Sequence, residues 1–472
     1  MDQGEARAAS LPVAYSVLAA LFAMNLLNYI DRYILAAVIK NIQATPGLEH
    51  DDTQAGMMAT VFFVSYAIFS PVFGWLGDRM SRKYLLAIGV SIWSLATFGA
   101  GLAVSYAQMV LARSVLGIGE AAYATLAPTL IADLFVRDKR NRALAIFYLA
   151  IPIGAALGYF LGGWIVAHHE SLHILPRLEH ALASLTGHPR FTAEEGRGWR
   201  MAFFVVGLPG LIVAFLALLI PEPKRGATEA VADEDLLRHE APPTSWRVYV
   251  TLLRNRSYLF NTLAMAMLTF ALGGLQFWAP TFLATGTDAI PLEEANYGLG
   301  VAGFISGLVG TPLGAWLADR LARRYKGAYF WMSGFSMLAG TPFILAALLG
   351  ALWGASPLLL FAFILIGMTL GFLNYGPSNA ITINVTAPNI RAAAFALNIL
   401  VIHLLGDIPS PWLMGAVSDL TRQGTSVEAK QLGLFWGMTV TIPAMLASGV
   451  LFCLGARHLE ADQEAVLKQL RS

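Results

Sequence analysis

A single cysteine, Cys453, stands in a chain of 472 residues, which excludes a disulfide framework and a cysteine-based zinc site. Charge is scarce as well. Asp, Glu, Lys and Arg make up only 13% of the chain, against about a quarter in an average soluble protein. A soluble chain of this length would divide into two or three domains with polar surfaces, and so few charged residues could not cover them. No HExxH, GxSxG or glycine-rich phosphate loop occurs, so the motifs that would carry hydrolytic or phosphoryl chemistry are missing and the chain is not expected to be an enzyme. A net charge of +1 gives no footing for nucleic acid. What remains is apolar: 57% of the residues are hydrophobic and the mean hydropathy is +0.61. Long apolar runs with that composition describe an all-α integral membrane protein.

The opening "LPVAYSVLAALFAMNLLNYI" has the look of a signal peptide, but "MDQGEARAAS" before it sets Asp2 and Glu5 against Arg7, so a positive n-region is absent. It is expected to be the first membrane span. At roughly 20 apolar residues per span, twelve candidates follow: about 13–39, 54–77, 84–105, 108–135, 141–168, 199–220, 257–284, 295–318, 327–350, 356–386, 391–418 and 432–456. The polar stretch 221–256 divides them into two groups of six. The expected organisation is an N-terminal half, 1–220, a cytoplasmic linker, 221–256, and a C-terminal half, 257–472. Twenty-two of the 31 lysines and arginines fall in the termini and the loops after even-numbered spans, seven lie on the opposite side, and Arg32 and Arg113 lie within spans. By the positive-inside rule both termini are cytoplasmic, and the cell (inner) membrane is the expected location.

The halves repeat. "PVFGWLGDRMSRK" (71–83) and "PLGAWLADRLARR" (312–324) align at a constant offset, so that Pro71, Trp75, Leu76, Asp78, Arg79 and Arg82 recur as Pro312, Trp316, Leu317, Asp319, Arg320 and Arg323. Each copy ends the second span of its half, a pattern that resembles the parallel six-helix repeats of the major facilitator transporters. The likeness goes further. "LNYIDRYILAAVI", "VFGWLGDRMSRKYLL", "GIGEAAYATLAPTLIADLF" and "IFYLAIPIGAALGY" resemble the N-terminal half of the spinster family. "PEPKRG", "PPTSW", "FWAPTFL" and "HLLGDIPSPWLMGAVSD" resemble its linker and C-terminal half. The resemblance implies transport of lipids with one hydrocarbon tail, such as lysophospholipids and sphingosine-1-phosphate, coupled in several members to protons. The short N-terminal tail suggests a bacterial member.

Charges at bilayer depth are costly, by about 2.5–3.5 kcal/mol on insertion scales, so they are expected to face the bundle interior with partners. Asn28, Asp31 and Arg32 stand at i, i+3 and i+4 and form one polar stripe on the first span. On the fourth, Arg113 and Glu120 stand seven apart on one face, which Tyr123 continues. With a rise of about 1.5 Å per residue, Asp31 falls between Arg113 and Glu120 in height. These three form the expected proton-coupling triad, since a carboxylate beside a cation stays ionised and one left in an apolar setting takes a proton. A static ion pair tying two spans together is the alternative. Arg32, about 100° away, is the candidate for an anionic headgroup, or else part of a second structural pair.

In the C-terminal half, His403 and Asp407 stand at i, i+4, and Asn374, Asn379 and Asn384 line the tenth span around Gly376 and Pro377. His403 could sense protons, bind a headgroup or bond a neighbouring helix; Asp407 could serve backbone groups freed by Pro409 and Pro411. Substrate contacts are thus expected from Asn28, Arg32, Tyr123, Phe277, Asn374 and His403, with Trp278 as a further wall. The clusters Asp78/Arg79/Arg82 and Asp319/Arg320/Arg323 are expected to gate the cytoplasmic side through inter-helix ion pairs. Gly154, Gly158 and Gly162, at i, i+4 and i+8, form a strip permitting close helix approach, similar to the glycine motif of antiporters although Pro152 precedes it. His168, His169, His173, His180 and His188 follow no metal-ligand spacing, and the loop 169–198 is expected to be a surface helix or lid.

The leading expectation is a proton-coupled secondary transporter moving an amphipathic, single-tailed lipid by alternating access through a cavity between the halves. A proton-coupled carrier of drugs or small organic anions is the alternative within the same fold; a lipid-modifying enzyme and a channel are less well supported. The expected partners are the substrate, protons and membrane lipids. No metal or cofactor is implied, and the chain is expected to be a monomer.

Overall fold

A computed structural model describes residues 11–48, 50–171, 197–223, 246–387 and 390–471. Most of the expected linker and of the histidine-rich loop, including His173, His180 and His188, lie outside the described residues. Twelve helices are long and apolar enough to cross a membrane, and they are numbered here as spans one to twelve: Leu11–Gln43, Asp52–Gly77, Arg82–Leu102, Tyr106–Leu134, Arg142–His168, Gly198–Leu219, Arg256–Leu283, Leu292–Ala322, Ala328–Leu352, Pro357–Asn384, Ala393–Thr421 and Val427–Gly455. Each overlaps a span expected from the sequence. In a medium without water every backbone polar group must be satisfied within the segment, and helices do so. Among the described residues there is no strand. Two further helices are Trp246–Arg254, with charges only at Arg247 and Arg254, and Leu459–Arg471, in which charged and apolar residues are mixed.

The chain clusters into two compact units, one of residues 1–50 and 61–240, the other of 51–60 and 241–472. In the first, span three packs on spans four and six, and span one packs on spans five and six. The core runs through Leu21, Trp93, Leu130 and Phe135 and includes Tyr123. In the second, span seven packs on span twelve, span nine on spans ten and twelve, and span eight on span ten.

Four spans are jointed, and a proline stands just inside each joint. The regular helix of span five is interrupted at Leu149, ahead of Pro152; that of span ten at Leu373 and Asn374, ahead of Pro377; and that of span twelve at Val440, ahead of Pro443, with helical torsions kept at each of these residues. Span eleven passes through one wide turn, His403–Asp407, before its next helical segment starts at Ser410 with Pro411 in its first turn. Proline lacks the amide proton of the helical ladder and clashes with the preceding turn, which favours an interruption there, although Pro71, Pro128, Pro209, Pro280, Pro312 and Pro342 stand inside continuous helices.

Candidate functional site

The polar stripe of span one lies inside the first unit. Asn28, Asp31, Arg113 and Glu120 are all buried. The strip of span five brings the two backbones together here. A Cβ on Gly154 would stand 2.5 Å from Tyr29 Cβ, one on Gly158 2.8 Å from the Ile30 carbonyl oxygen, and one on Gly162 2.5 Å from Ala37 Cβ. Hydrogen at these three positions lets span five lie along residues 26–37 of span one, which fixes how Asp31 and Arg32 are turned.

Arg32 Nε donates to Glu120 Oε2 at 2.6 Å. Its guanidinium carbon stands 5.0 Å from the ring centre of Tyr29 and 5.2 Å from those of Phe62 and Tyr66, so aromatic faces complete its surroundings. Asp31 accepts from the Thr97 hydroxyl on span three. Arg113 lies close enough to interact electrostatically with Asp31, Glu120 and Arg32, and Asn28 lies beside Glu120. Among the described residues, Asp31 Oδ1, Glu120 Oε1 and the Nε and Nη1 of Arg113 have no hydrogen-bond partner, so valences remain on both carboxylates and on one guanidinium. Two carboxylates and two guanidiniums thus share a single buried pocket of charge. Arg32, expected to point away from the carboxylates, is the residue that bonds Glu120. A long side chain four residues on from Asn28 reaches the same face.

Tyr123 faces the core rather than this cluster. Its hydroxyl donates to the Leu21 carbonyl at 2.5 Å and its ring meets Trp93 edge-on, 5.4 Å away. In the second unit, Phe277 is buried edge-on against Trp278, whose indole N–H donates to the Pro411 carbonyl at 2.9 Å. Asn374 is fully buried and donates to the Gly371 carbonyl, bracing the joint of span ten, whereas Asn379 and Asn384 are exposed. His403 Nδ1 and Asp407 Oδ2 are 2.6 Å apart across the wide turn of span eleven. The turn faces span seven closely: a Cβ on Gly273 would stand 2.9 Å from Asp407 Oδ1.

The repeated motif has two chemistries. Arg79 lies over Trp75 at 4.2 Å and Arg320 over Trp316 at 5.7 Å, the same i, i+4 stack in both copies. Arg82 is buried. Its Nη1 donates to Asp133 Oδ2 at 2.6 Å, its Nη2 to the Pro223 carbonyl at 3.2 Å, and its backbone N–H to Glu222 Oε1 at 2.8 Å. Its counterpart Arg323 is exposed. Asp78 and Asp319 are exposed, and Asp319 accepts from the Tyr329 hydroxyl at 3.0 Å. Arg82 thus makes two ion pairs with other helices or their ends, both inside the first unit. Partial burial works against ionisation of Glu222, but hydrogen bonds from Ser81, the Arg82 amide and the Arg82 guanidinium hold its carboxyl below the usual range.

Sequence reasoning missed three partners. Asp133 and Glu222 are ordinary acidic residues at span ends until Arg82 is seen between them. The other is Asp419. Span two begins with a capping box, in which Gln54 N–H donates to Asp51 Oδ1 at 2.7 Å and Asp51 N–H to Gln54 Oε1 at 3.3 Å. Asp419 takes the next two donors, Asp52 N–H at 3.2 Å and Thr53 N–H at 2.7 Å, along with the Thr53 hydroxyl at 2.6 Å. The stretch "DDTQ" carries the box openly, but nothing local points to Asp419.

The chain has known relatives. Residues 21–411 match the model of the Major Facilitator Superfamily. The human "Protein spinster homolog 1" is 34% identical over 464 residues, covering 95% of this chain and 81% of the human protein. The "Protein spinster" of Drosophila melanogaster is 33% identical over 418 residues, 87% of this chain and 63% of the fly protein, so the chain spans somewhat under two thirds of that relative. Among solved structures, a bacterial homologue of the human lysosomal transporter spinster, crystallised in an inward-facing, unoccupied conformation, aligns with a TM-score of 0.84. That alignment covers 96% of this chain and 99% of the other at 23% identity, a likeness of fold.

Proposed function

The chain belongs to the spinster family of the major facilitator superfamily, multi-pass membrane transporters rather than enzymes, and from that premise we propose that it moves an amphipathic, single-tailed lipid in exchange for or together with protons. One observation carries the proton half of this reading: Arg32, Arg113, Asp31 and Glu120 share one buried site, with Arg32 and Glu120 bonded at 2.6 Å. A buried charge left without its partner is strongly destabilising. A proton on Glu120 therefore releases Arg32, and a released guanidinium in an aromatic enclosure is a receptor for an anionic headgroup. Binding of headgroup and proton at one arginine couples the two by direct exchange of partners, the chemical requirement for alternating access driven by a pH gradient. The lipid half rests on the family resemblance. The lysine and arginine count supports a cell-membrane location with both termini cytoplasmic.

The test is flux of labelled lysophospholipid in proteoliposomes under an imposed pH gradient, set beside small organic anions. Gradient-driven flux of the lysolipid is expected, and Asp31→Asn and Glu120→Gln should each abolish it. Unchanged pH dependence in both variants would remove the proton role. Flux of organic anions without flux of lysolipid would move the protein to the alternative substrate class.

A further inference from the structure

Within the second unit, spans eight, nine and ten enclose a groove of about 570 Å³, a size typical of small-molecule sites. Leu321, Trp331, Met332, Phe335, Leu370 and Leu373 line it. The rings of Trp331 and Phe335 are stacked 5.5 Å apart and both are exposed. Ser336, also in the lining, is buried and its hydroxyl donates to the Ser333 carbonyl at 2.9 Å, so its one donor is already taken. The mouth is different. It opens beside the loop between spans eight and nine, where Lys326 lines the groove and Arg323, Arg324 and Tyr325 are exposed in one run. Arg320 lies a turn back, over Trp316. Against these four cations stand three carboxylates: Asp319, bonded to Tyr329; Glu460, which accepts from Lys326; and Glu464, close enough to Lys326 to interact electrostatically. The mouth therefore keeps an excess of positive charge.

A long apolar slot that ends at a basic rim at the membrane edge has the outline of a phospholipid with a negative head. We propose that this groove holds a resident anionic phospholipid of the cytoplasmic leaflet, one acyl chain laid along Trp331 and Phe335 and the phosphate on Lys326 and Arg324. Basic recesses between helices on the cytoplasmic side favour such heads, and juxtamembrane lysines and arginines each add to the attraction. In binding, the phosphate takes Lys326 from Glu460. The occupant is a lipid of the bilayer, not the transported molecule; the transported lipid is read at Arg32 in the first unit.

Native mass spectrometry of the full-length protein, titrated with phosphatidylglycerol or with phosphatidylethanolamine of matched chains, tests this. One saturable phosphatidylglycerol adduct is expected, at least 10-fold tighter than the phosphatidylethanolamine adduct. Arg324→Gln with Lys326→Gln, both at exposed positions, should weaken it about 30-fold. Ser336→Phe, which fills the groove, should remove it; should that variant not fold, the surface pair alone decides. Equal retention of both lipids, phosphatidylglycerol binding unchanged in Arg324→Gln/Lys326→Gln, or adducts that rise without saturating would each overturn the site. Displacement of the phosphatidylglycerol by one equivalent of lysophospholipid would overturn residency, since the groove would then take the transported class.

Discussion

Arg32 and Arg113 meet over one ring: the guanidinium carbon of each stands 5.2 Å from the centre of Phe62. Two cations brought this near repel one another unless something negative lies between or around them. Asp31 and Glu120 supply the charge and the face of Phe62 supplies a weaker, fixed attraction. The ring thus adds to what the two carboxylates do to hold both guanidiniums in one buried site.

Phe62→Leu keeps the site apolar, removes the ring face and leaves a smaller side chain at a buried position. Its expected cost is about 1–2 kcal/mol from the two lost cation–ring contacts together. A fall of several degrees in thermal midpoint, with gradient-driven transport weakened more than folding, is the anticipated result. Loss of stability with gradient-driven transport equal to the parent would show that the ring only fills space.

Arg82→Ala leaves the Asp133 carboxylate without its cation and should cost about 3 kcal/mol, as expected for breaking a buried pair. The pH dependence carries a definite sign. Because the folded Glu222 carboxyl is held below its unfolded value of about 4.3, its contribution is complete above that pH and is lost as pH falls through the depressed folded value. The difference in thermal midpoint between the parent and Glu222→Gln should therefore be steady from pH 7 to about 5 and shrink below about 4. A difference that grows on acidification would contradict the ion-pair assignment.

Gly158→Ala sets a methyl group 2.8 Å from the Ile30 carbonyl oxygen and 2.8 Å from Tyr33 Cβ, both on span one. Neither can step aside alone, so the span must shift. A stability loss of about 1–3 kcal/mol is expected from overpacking, together with reduced lipid flux. Ala156, on the same helix and half-buried, gives the control: Ala156→Ser should leave both quantities near the parent.

Asp419→Ala withdraws the acceptor from the amides of Asp52 and Thr53 and should cost about 1 kcal/mol, the usual worth of a cap. Hydrogen exchange is the direct measurement. The amides of Asp52 and Thr53 should exchange faster, while that of Gln54, bonded to Asp51, should change little.

Much of this was legible in advance, for a physical reason. Membrane spans are written in one dimension, as length and apolarity, and the twelve could be counted without knowing any contact. Depth is also one-dimensional, which is why rise per residue sufficed to bring Asp31, Arg113 and Glu120 to one level. Rotation and rotamer are not. Whether Arg32 or Arg113 bonds Glu120 depends on how span one is turned, and that is set by Gly154 and Gly158 on another helix. Pairings distant in sequence, such as Arg82 with Glu222 or Thr53 with Asp419, depend on the packed fold and leave no local mark. Tyr123 shows the opposite error. A polar tip continuing a charged stripe reads as a ligand contact, yet one backbone carbonyl satisfies it inside the core.

The joints ahead of Pro152, Pro377, Pro411 and Pro443 have a mechanical consequence. A continuous helix that bends spreads strain over its whole ladder of hydrogen bonds, and its stiffness resists any large excursion. A helix already interrupted at one residue behaves as two rigid levers on a pin. Its swing is taken up by a few backbone torsions, at a point the proline fixes in the chain. Spans five, ten, eleven and twelve carry such pins, whereas span one, which holds Asp31 and Arg32, is a single unbroken rod. Asp31 and Arg32 thus stand on an unbroken helix, and the interruptions stand on others.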